Sequence, residues 1–309
     1  MMSSEQEDSL VTRPSRHTGA VRALDFNSFQ TNLLATGACE SEIFIWDLNQ
    51  MGSPMTPGVK PQPYEDVVCL AWNKQVQHIL ASAFGSRCIV WDLRKNEPII
   101  KLTDSTSRVR WKDLAWHPDV PTQLCLASED DTNPVIQLWD LRFATSPLRS
   151  LQGHTRGVLS LAWCSHDSDL MISCAKDNKI LCWNPNSNDA NGEMICEIPN
   201  TQQWIFEVDW CPRNPALVVS CSCDNRTSIY SLMGSNNNQI QTTNKIADSF
   251  PGMEQLNQNE LVTGSGQHQP SSGAVEMKKP PKWLRQPVGA SFAVSIGPAY
   301  FTTKLWYAT

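Results

Sequence analysis

Aromatic residues followed by a short polar residue recur along this chain at a nearly constant interval, and no other feature restricts its fold as much. The pairs are Trp46-Asp47, Trp91-Asp92, Trp139-Asp140, Trp183-Asn184 and, more weakly, Tyr230-Ser231. Their polar members stand 45, 48, 44 and 47 residues apart. A second aromatic series, Phe26, Trp72, Trp116, Trp163 and Trp210, runs ahead of the first with spacings of 46, 44, 47 and 47. Eight of the 12 tryptophans therefore lie on two interleaved combs of one period. A period of this size marks one supersecondary unit repeated along the chain.

Within each period, short apolar or alternating runs are separated by turn residues. In the fourth repeat they are Val158–Trp163, Leu170–Cys174 and Lys179–Trp183, with a further run at Met194–Ile198. Runs this short, rich in β-branched and aromatic side chains, read as strands. A sheet of four such strands cannot bury both faces alone, so neighbouring sheets must stack radially around an axis. Period, strand number and Trp-Asp ending together predict an all-β WD-repeat propeller with five recognisable repeats and essentially no helix up to residue 232. The predicted divisions are a polar extension at 1–16, blades at 17–232, a linker at 233–276 and a basic, proline-containing segment at 277–309.

The polar residues of the repeat are candidates for a structural network. His154 precedes the first strand of the fourth repeat, Ser173 sits on the second, Asp177 lies in the next turn and Trp183 ends the third. A buried imidazole, carboxylate and indole N–H each need a partner or cost about 1–3 kcal/mol. His17, Trp46, Trp91 and Trp139 hold matching positions elsewhere. Glu65, Arg108 and Trp204 stand near the histidine position of the second, third and fifth repeats, which predicts an incomplete network there. A Ser-His-Asp catalytic reading lacks its strand–GxSxG–helix context, and the same positions recur in degenerate form in other repeats.

No other constellation carries chemistry. Glu129-Asp130-Asp131 falls in a turn between strands and reads as solvated. His166, Asp167 and Asp169 share a loop without a metal-ligand pattern. Cys221 and Cys223 lack a third and fourth ligand nearby. There is no phosphate-binding glycine loop, so catalytic, cofactor and metal residues are all expected to be none. The 11 cysteines form no CxxC pair, and most stand in strand-like segments as buried reduced thiols do in the cytosol. A net charge of −6 gives no overall attraction to nucleic acid. No apolar run reaches the ~20 residues that span a bilayer, and the amino terminus lacks an apolar signal core.

After Leu232 the composition turns to Asn, Gln, Ser and Gly, as in a flexible linker. Its 44 residues would span roughly 35 Å between ends. The stretch Lys278-Lys279-Pro280-Pro281-Lys282-Trp283 then leads into a single strand-like run at Val288–Val294, which needs a sheet edge to be stable.

Several long strings exceed repeat consensus: HTGAVRALDFNSFQTNLLATGA, ESEIFIWDLNQ, VWDLRKNEPIIKL, LAWHPDVPTQL, QLWDLRFATSPLR, KDNKILCWNPN and KKPPKWLRQPVGASFA. Through them the chain resembles the large outer-cage subunits of the COPII vesicle coat, the Sec-thirty-one family, over roughly residues 17–292. The resemblance implies a scaffold in transport from the endoplasmic reticulum to the Golgi, cytoplasmic and peripheral at exit sites and on vesicles. It implies a seven-bladed propeller, and a following segment that donates a blade to a small six-bladed propeller subunit of the coat. Onto this chain it carries Trp283, Val288, Gly289, Ala290, Ser291 and Phe292 as partner-binding residues. Two departures accompany it. Only 16 residues precede His17 where the family has about two more blades, and SIGPAYFTTKLWYAT has no counterpart. The expectation is a truncated or alternatively spliced product that binds the small propeller weakly and leaves two radial sheet faces uncovered. The alternatives are a generic WD-repeat adaptor in another cytosolic complex and a non-assembling splice product.

Overall fold

A computed structural model describes residues 16–50, 52–104, 109–189, 192–198, 203–232 and 281–282. The strands fall into five antiparallel sheets in chain order. Blade 1 holds β1 (Ala23–Phe26), β2 (Leu33–Gly37) and β3 (Ile43–Asp47). Blade 2 holds β4 (Val67–Trp72), β5 (Ile79–Phe84), β6 (Cys88–Asp92) and β7 (Glu97–Leu102). Blade 3 holds β8 (Trp111–Trp116), β9 (Gln123–Ser128), β10 (Val135–Asp140) and β11 (Arg149–Gln152). Blade 4 holds β12 (Val158–Trp163), β13 (Met171–Ala175), β14 (Ile180–Asn184) and β15 (Glu193–Ile198). Blade 5 holds β16 (Ile205–Trp210), β17 (Leu217–Ser222) and β18 (Thr227–Ser231). One 3-10 turn, Leu141–Phe143, interrupts the strands of the blades.

Both combs now have positions. Trp46, Trp91, Trp139 and Trp183 sit near the ends of the third strands, while Phe26, Trp72, Trp116, Trp163 and Trp210 end the first strands. The first strands of blades 2 to 5 each begin with a register irregularity against their second strand, between Val67/Cys69, Trp111/Asp113, Val158/Ser160 and Ile205/Glu207. A bulge adds local twist, so its recurrence at one place gives the inner strands of blades 2 to 5 the same added twist.

Packing is between blades. Four separate apolar cores occupy the four junctions. One lies between blades 1 and 2 around Ala35, Ile45, Val67 and Trp91. The next holds Ala81, Val90, Leu114 and Leu126 between blades 2 and 3. Ala127, Leu138, Leu161 and Met171 fill the junction of blades 3 and 4, and Ile172, Cys182, Val208 and Val218 that of blades 4 and 5. The inner strands β1, β4, β8, β12 and β16 pack on one another in that order, and no packing of comparable extent joins β16 back to β1. Among the described residues the ring is open there. Leu24 and Phe26 on β1 are 61% and 49% exposed, and Ile229 on β18 is 68% exposed. All 11 cysteines are free, and Cys88, Cys125, Cys174 and Cys182 are buried, whereas Cys221 and Cys223 are exposed.

Candidate functional site

The fourth blade assembles the residues singled out in its sequence into one hydrogen-bonded chain. His154 lies between strands, with Nδ1 3.1 and 3.2 Å from the two carboxylate oxygens of Asp177. Its Nε2 is 2.7 Å from Ser173 Oγ, and the Trp183 indole N–H donates to the same oxygen at 2.8 Å. With Nδ1 donating to the carboxylate, Nε2 accepts from the serine, and Ser173 Oγ both donates and accepts. Asp177 further accepts the backbone N–H groups of Thr155 and Lys179. Burial alone would raise its carboxyl, but the His154 partner and those donors outweigh it and hold it below the usual value. Ser173 is fully buried, leaving a nucleophile no route to a substrate. Gly153 is needed beside it, because a Cβ there would come within 2.6 Å of the Trp183 ring.

Blade 1 builds the same chain from different residues. His17 Nε2 is 2.8 Å from Thr36 Oγ1, which accepts the Trp46 indole N–H at 2.8 Å. His17 Nδ1 faces Glu42 at 3.3 Å, and Glu42 also accepts from Thr18 N and Lys60 Nζ, each at 2.9 Å. Burial would raise the Glu42 carboxyl, yet the Thr18 and Lys60 hydrogen bonds lower it to about 2. Thr36 and Glu42 escaped the sequence reading. The signal was present: His17 to Thr36 and His154 to Ser173 both span 19 residues, and Thr36 to Trp46 and Ser173 to Trp183 both span 10.

The remaining blades keep parts of it. In blade 2 the Trp91 indole still donates to Ser82 Oγ at 2.9 Å, while Glu65 caps Ser86 N and pairs with buried Arg87 at 3.3 Å. In blade 3 the Trp139 indole turns to Gln137 Oε1 at 3.1 Å, and Arg108 lies outside the described residues. In blade 5 Trp204 is exposed, and Ser220 Oγ is buried with no hydrogen-bond partner.

A second set of contacts joins blade to blade, and sequence reasoning missed it. The indole N–H of Trp72 donates to Asp25 O at 3.0 Å, that of Trp116 to Ala71 O at 2.9 Å, and that of Trp210 to Ala162 O at 3.0 Å. Each acceptor is the residue just before the aromatic of the preceding blade. Trp163 is the exception: its ring lies 4.6 Å from His117 and its N–H turns to Ser168 O of its own blade. Asn27 and Asn73 add Nδ2 bonds to Gln77 O and Pro121 O of the next blade, both at 2.8 Å.

The carboxylate clusters also have partners. Glu129-Asp130-Asp131, read as a solvated turn with one structural Asp, also reaches blade 4. Asp131 accepts Gly157 N at 2.9 Å, and Lys176 Nζ lies 3.6 Å from both Glu129 and Asp131. A Cβ on Gly157 would sit 2.0 Å from Glu129 O, so only glycine admits this approach. Asp167 and Asp169 hold Lys282, with Nζ at 3.5 and 3.0 Å. Among the described residues no group of His, Cys, Asp and Glu is arranged to hold a metal ion. Trp283, Val288, Gly289, Ala290, Ser291 and Phe292 lie outside the described residues.

Comparison with known proteins agrees with this architecture. The family model described as WD domain, G-beta repeat matches residues 8–47 and 145–184. Protein transport protein Sec31A of Danio rerio is 54% identical over 92% of the chain, and that of Homo sapiens 52% identical over 92%. Protein transport protein SEC31 of Mycosarcoma maydis is 40% identical over 94%. The chain spans 23%, 23% and 21% of these three relatives. Among solved structures, a chain of the COPII outer coat vertex on membranes superposes with a TM-score of 0.66 at 36% identity, covering 72% of this chain and 60% of that one.

Proposed function

This chain belongs to the Sec31 family, sharing its sequence over nine-tenths of its length, and from that premise we propose that it is a scaffold of the COPII coat in transport between endoplasmic reticulum and Golgi. The observation that carries the reading is the superposition of its blades on a chain of the COPII outer coat vertex. In this role the chain works by protein–protein contact and not by catalysis. The one Ser-His-Asp grouping supports that view, since Ser173 is buried and both its bonding directions are spent on His154 and Trp183. It acts on the cytoplasmic face, peripheral to the membrane. Its partners are other coat subunits, the small six-bladed propeller among them, reached through Trp283 and the 288–292 stretch.

Affinity purification of the whole chain from cytosol tests this. Recovery of coat subunits is the expected result, with the small propeller captured only weakly. Recovery of a ligase or signalling assembly without coat subunits would replace the reading with that of a WD-repeat adaptor. Deleting residues 277–309 should hardly change that weak capture; a large loss on deletion would show that this segment binds the small propeller strongly.

A further inference from the structure

Pro281 and Lys282 are the only residues beyond Leu232 that the structure describes, and they lie against the fourth blade. We propose that the loop Asp167-Ser168-Asp169, between β12 and β13, is a docking site for the chain's own Pro281-Lys282. Docking would set the point from which the downstream segment leaves the propeller.

The contact is made by two donors of one residue. The backbone N–H of Lys282 donates to Asp167 Oδ2 at 2.6 Å across 115 positions of sequence. Its Nζ lies 3.0 Å from Asp169 Oδ2, 3.2 Å from Ser168 Oγ and 3.5 Å from Asp167 Oδ1. The Asp167 side chain is only 2% exposed. Burying a carboxylate is costly unless a charge and hydrogen bonds compensate it, and Lys282 brings both. The ammonium is held above the ordinary lysine value, first by its bond to Asp169.

The receiving loop is already shaped. Asp167 Oδ1 accepts Asp169 N at 3.0 Å, and Asn186 Nδ2 bonds Ser168 O and Asp169 Oδ1, each at 3.0 Å. The Trp163 indole fixes Ser168 O from below at 2.8 Å. This is where Trp163 departs from the blade-to-blade pattern, so its unusual bond serves the loop. Pro281 is buried beside Lys282. Its locked φ lowers the entropy lost when the segment is ordered. The consequence is positional. From Leu232 alone, a linker of this length would let its end wander over roughly 35–40 Å. Pinned at Lys282, the following residues start at the fourth blade, which raises their effective concentration for any partner also touching that blade.

The test uses the whole chain. Zero-length carbodiimide coupling followed by mass spectrometry should link Lys282 to Asp169 or Asp167. Acetylation of Lys282 at low salt should run about fivefold slower in the protein than in a synthetic peptide of residues 277–287, the ratio a surface-type pairing allows. Asp169→Asn, which leaves the Asp167 turn in place, should bring the rate most of the way to that of the peptide. Asp167→Asn should do so fully, provided circular dichroism shows unchanged strand content. Equal rates in protein and peptide, with no cross-link to this loop, would overturn the proposal. Neither readout depends on coat binding, so the proposal and the coat function can fail separately.

Discussion

Ser173 Oγ joins three strands' worth of polar groups through one atom, because His154 and Trp183 both end on it. Ser173→Ala should therefore strand an imidazole and an indole N–H and cost about 1–3 kcal/mol. Ser82→Ala in blade 2 strands the Trp91 N–H and removes a longer bond to Ile89 O, but leaves no imidazole unpaired, and should cost less. Urea midpoints at constant slope measure both, and equal losses would contradict the argument. Blade 1 makes a pH prediction. Burial lowers the His17 pKa from its ordinary 6.5, and Glu42 is lowered from 4.5 to about 2. Both groups bind protons less readily folded than unfolded, so their contribution is complete above pH 6.5. It should decline as pH falls, first through His17 and then through Glu42 between 4.5 and about 2. The stability gap between the native chain and Glu42→Gln should narrow across the lower window in denaturant titrations. A gap that widens on acidification would reverse the sign.

At the scale of the strand, the inner-strand tryptophans work as fasteners between blades. Trp116→Phe keeps most of the ring but deletes the bond to Ala71 O of blade 2. A net loss of about 0.5–1.5 kcal/mol is expected from the hydrogen bond. Amide exchange should quicken along β4 and β8 together. Trp163→Phe is the control: its N–H stays within blade 4, so exchange should quicken in the Asp167–Asp169 loop and not across β8 and β12. If both variants loosened the same interface, the fastener reading would be wrong.

For the molecule as a whole, five blades have four junctions and four cores, and among the described residues none packs on the outer face of blade 1 or blade 5. Leu24, Phe26, Phe206 and Ile229 are exposed on the strands at either side of the opening. Large apolar side chains left exposed on faces without a packed neighbour favour association. The chain should sediment with a weight-average coefficient that rises with concentration, and Leu24→Glu with Ile229→Lys should flatten the curve. A native chain that sediments identically over a hundredfold dilution series would argue that the faces are covered.

Much of this was legible from residues alone, because a propeller repeats its physics. Trp91 and Trp139 recur at one period since every blade must end its third strand against the same neighbour. The strands themselves follow from short β-branched runs between turns, and the His154–Ser173–Asp177–Trp183 set could be picked out since each is a polar group at a fixed place in the repeat. Thr36 and Glu42 were hidden only by substitution of one hydroxyl and one carboxylate for another. What no local pattern contains is which carbonyl an indole meets across a blade junction, or that Lys282 comes to rest on Asp167. Those contacts join positions 45 and 115 residues apart, and distance in sequence carries no trace of proximity in space. The repeat determined what each blade is; the stacking of blades around the axis decided what each blade touches.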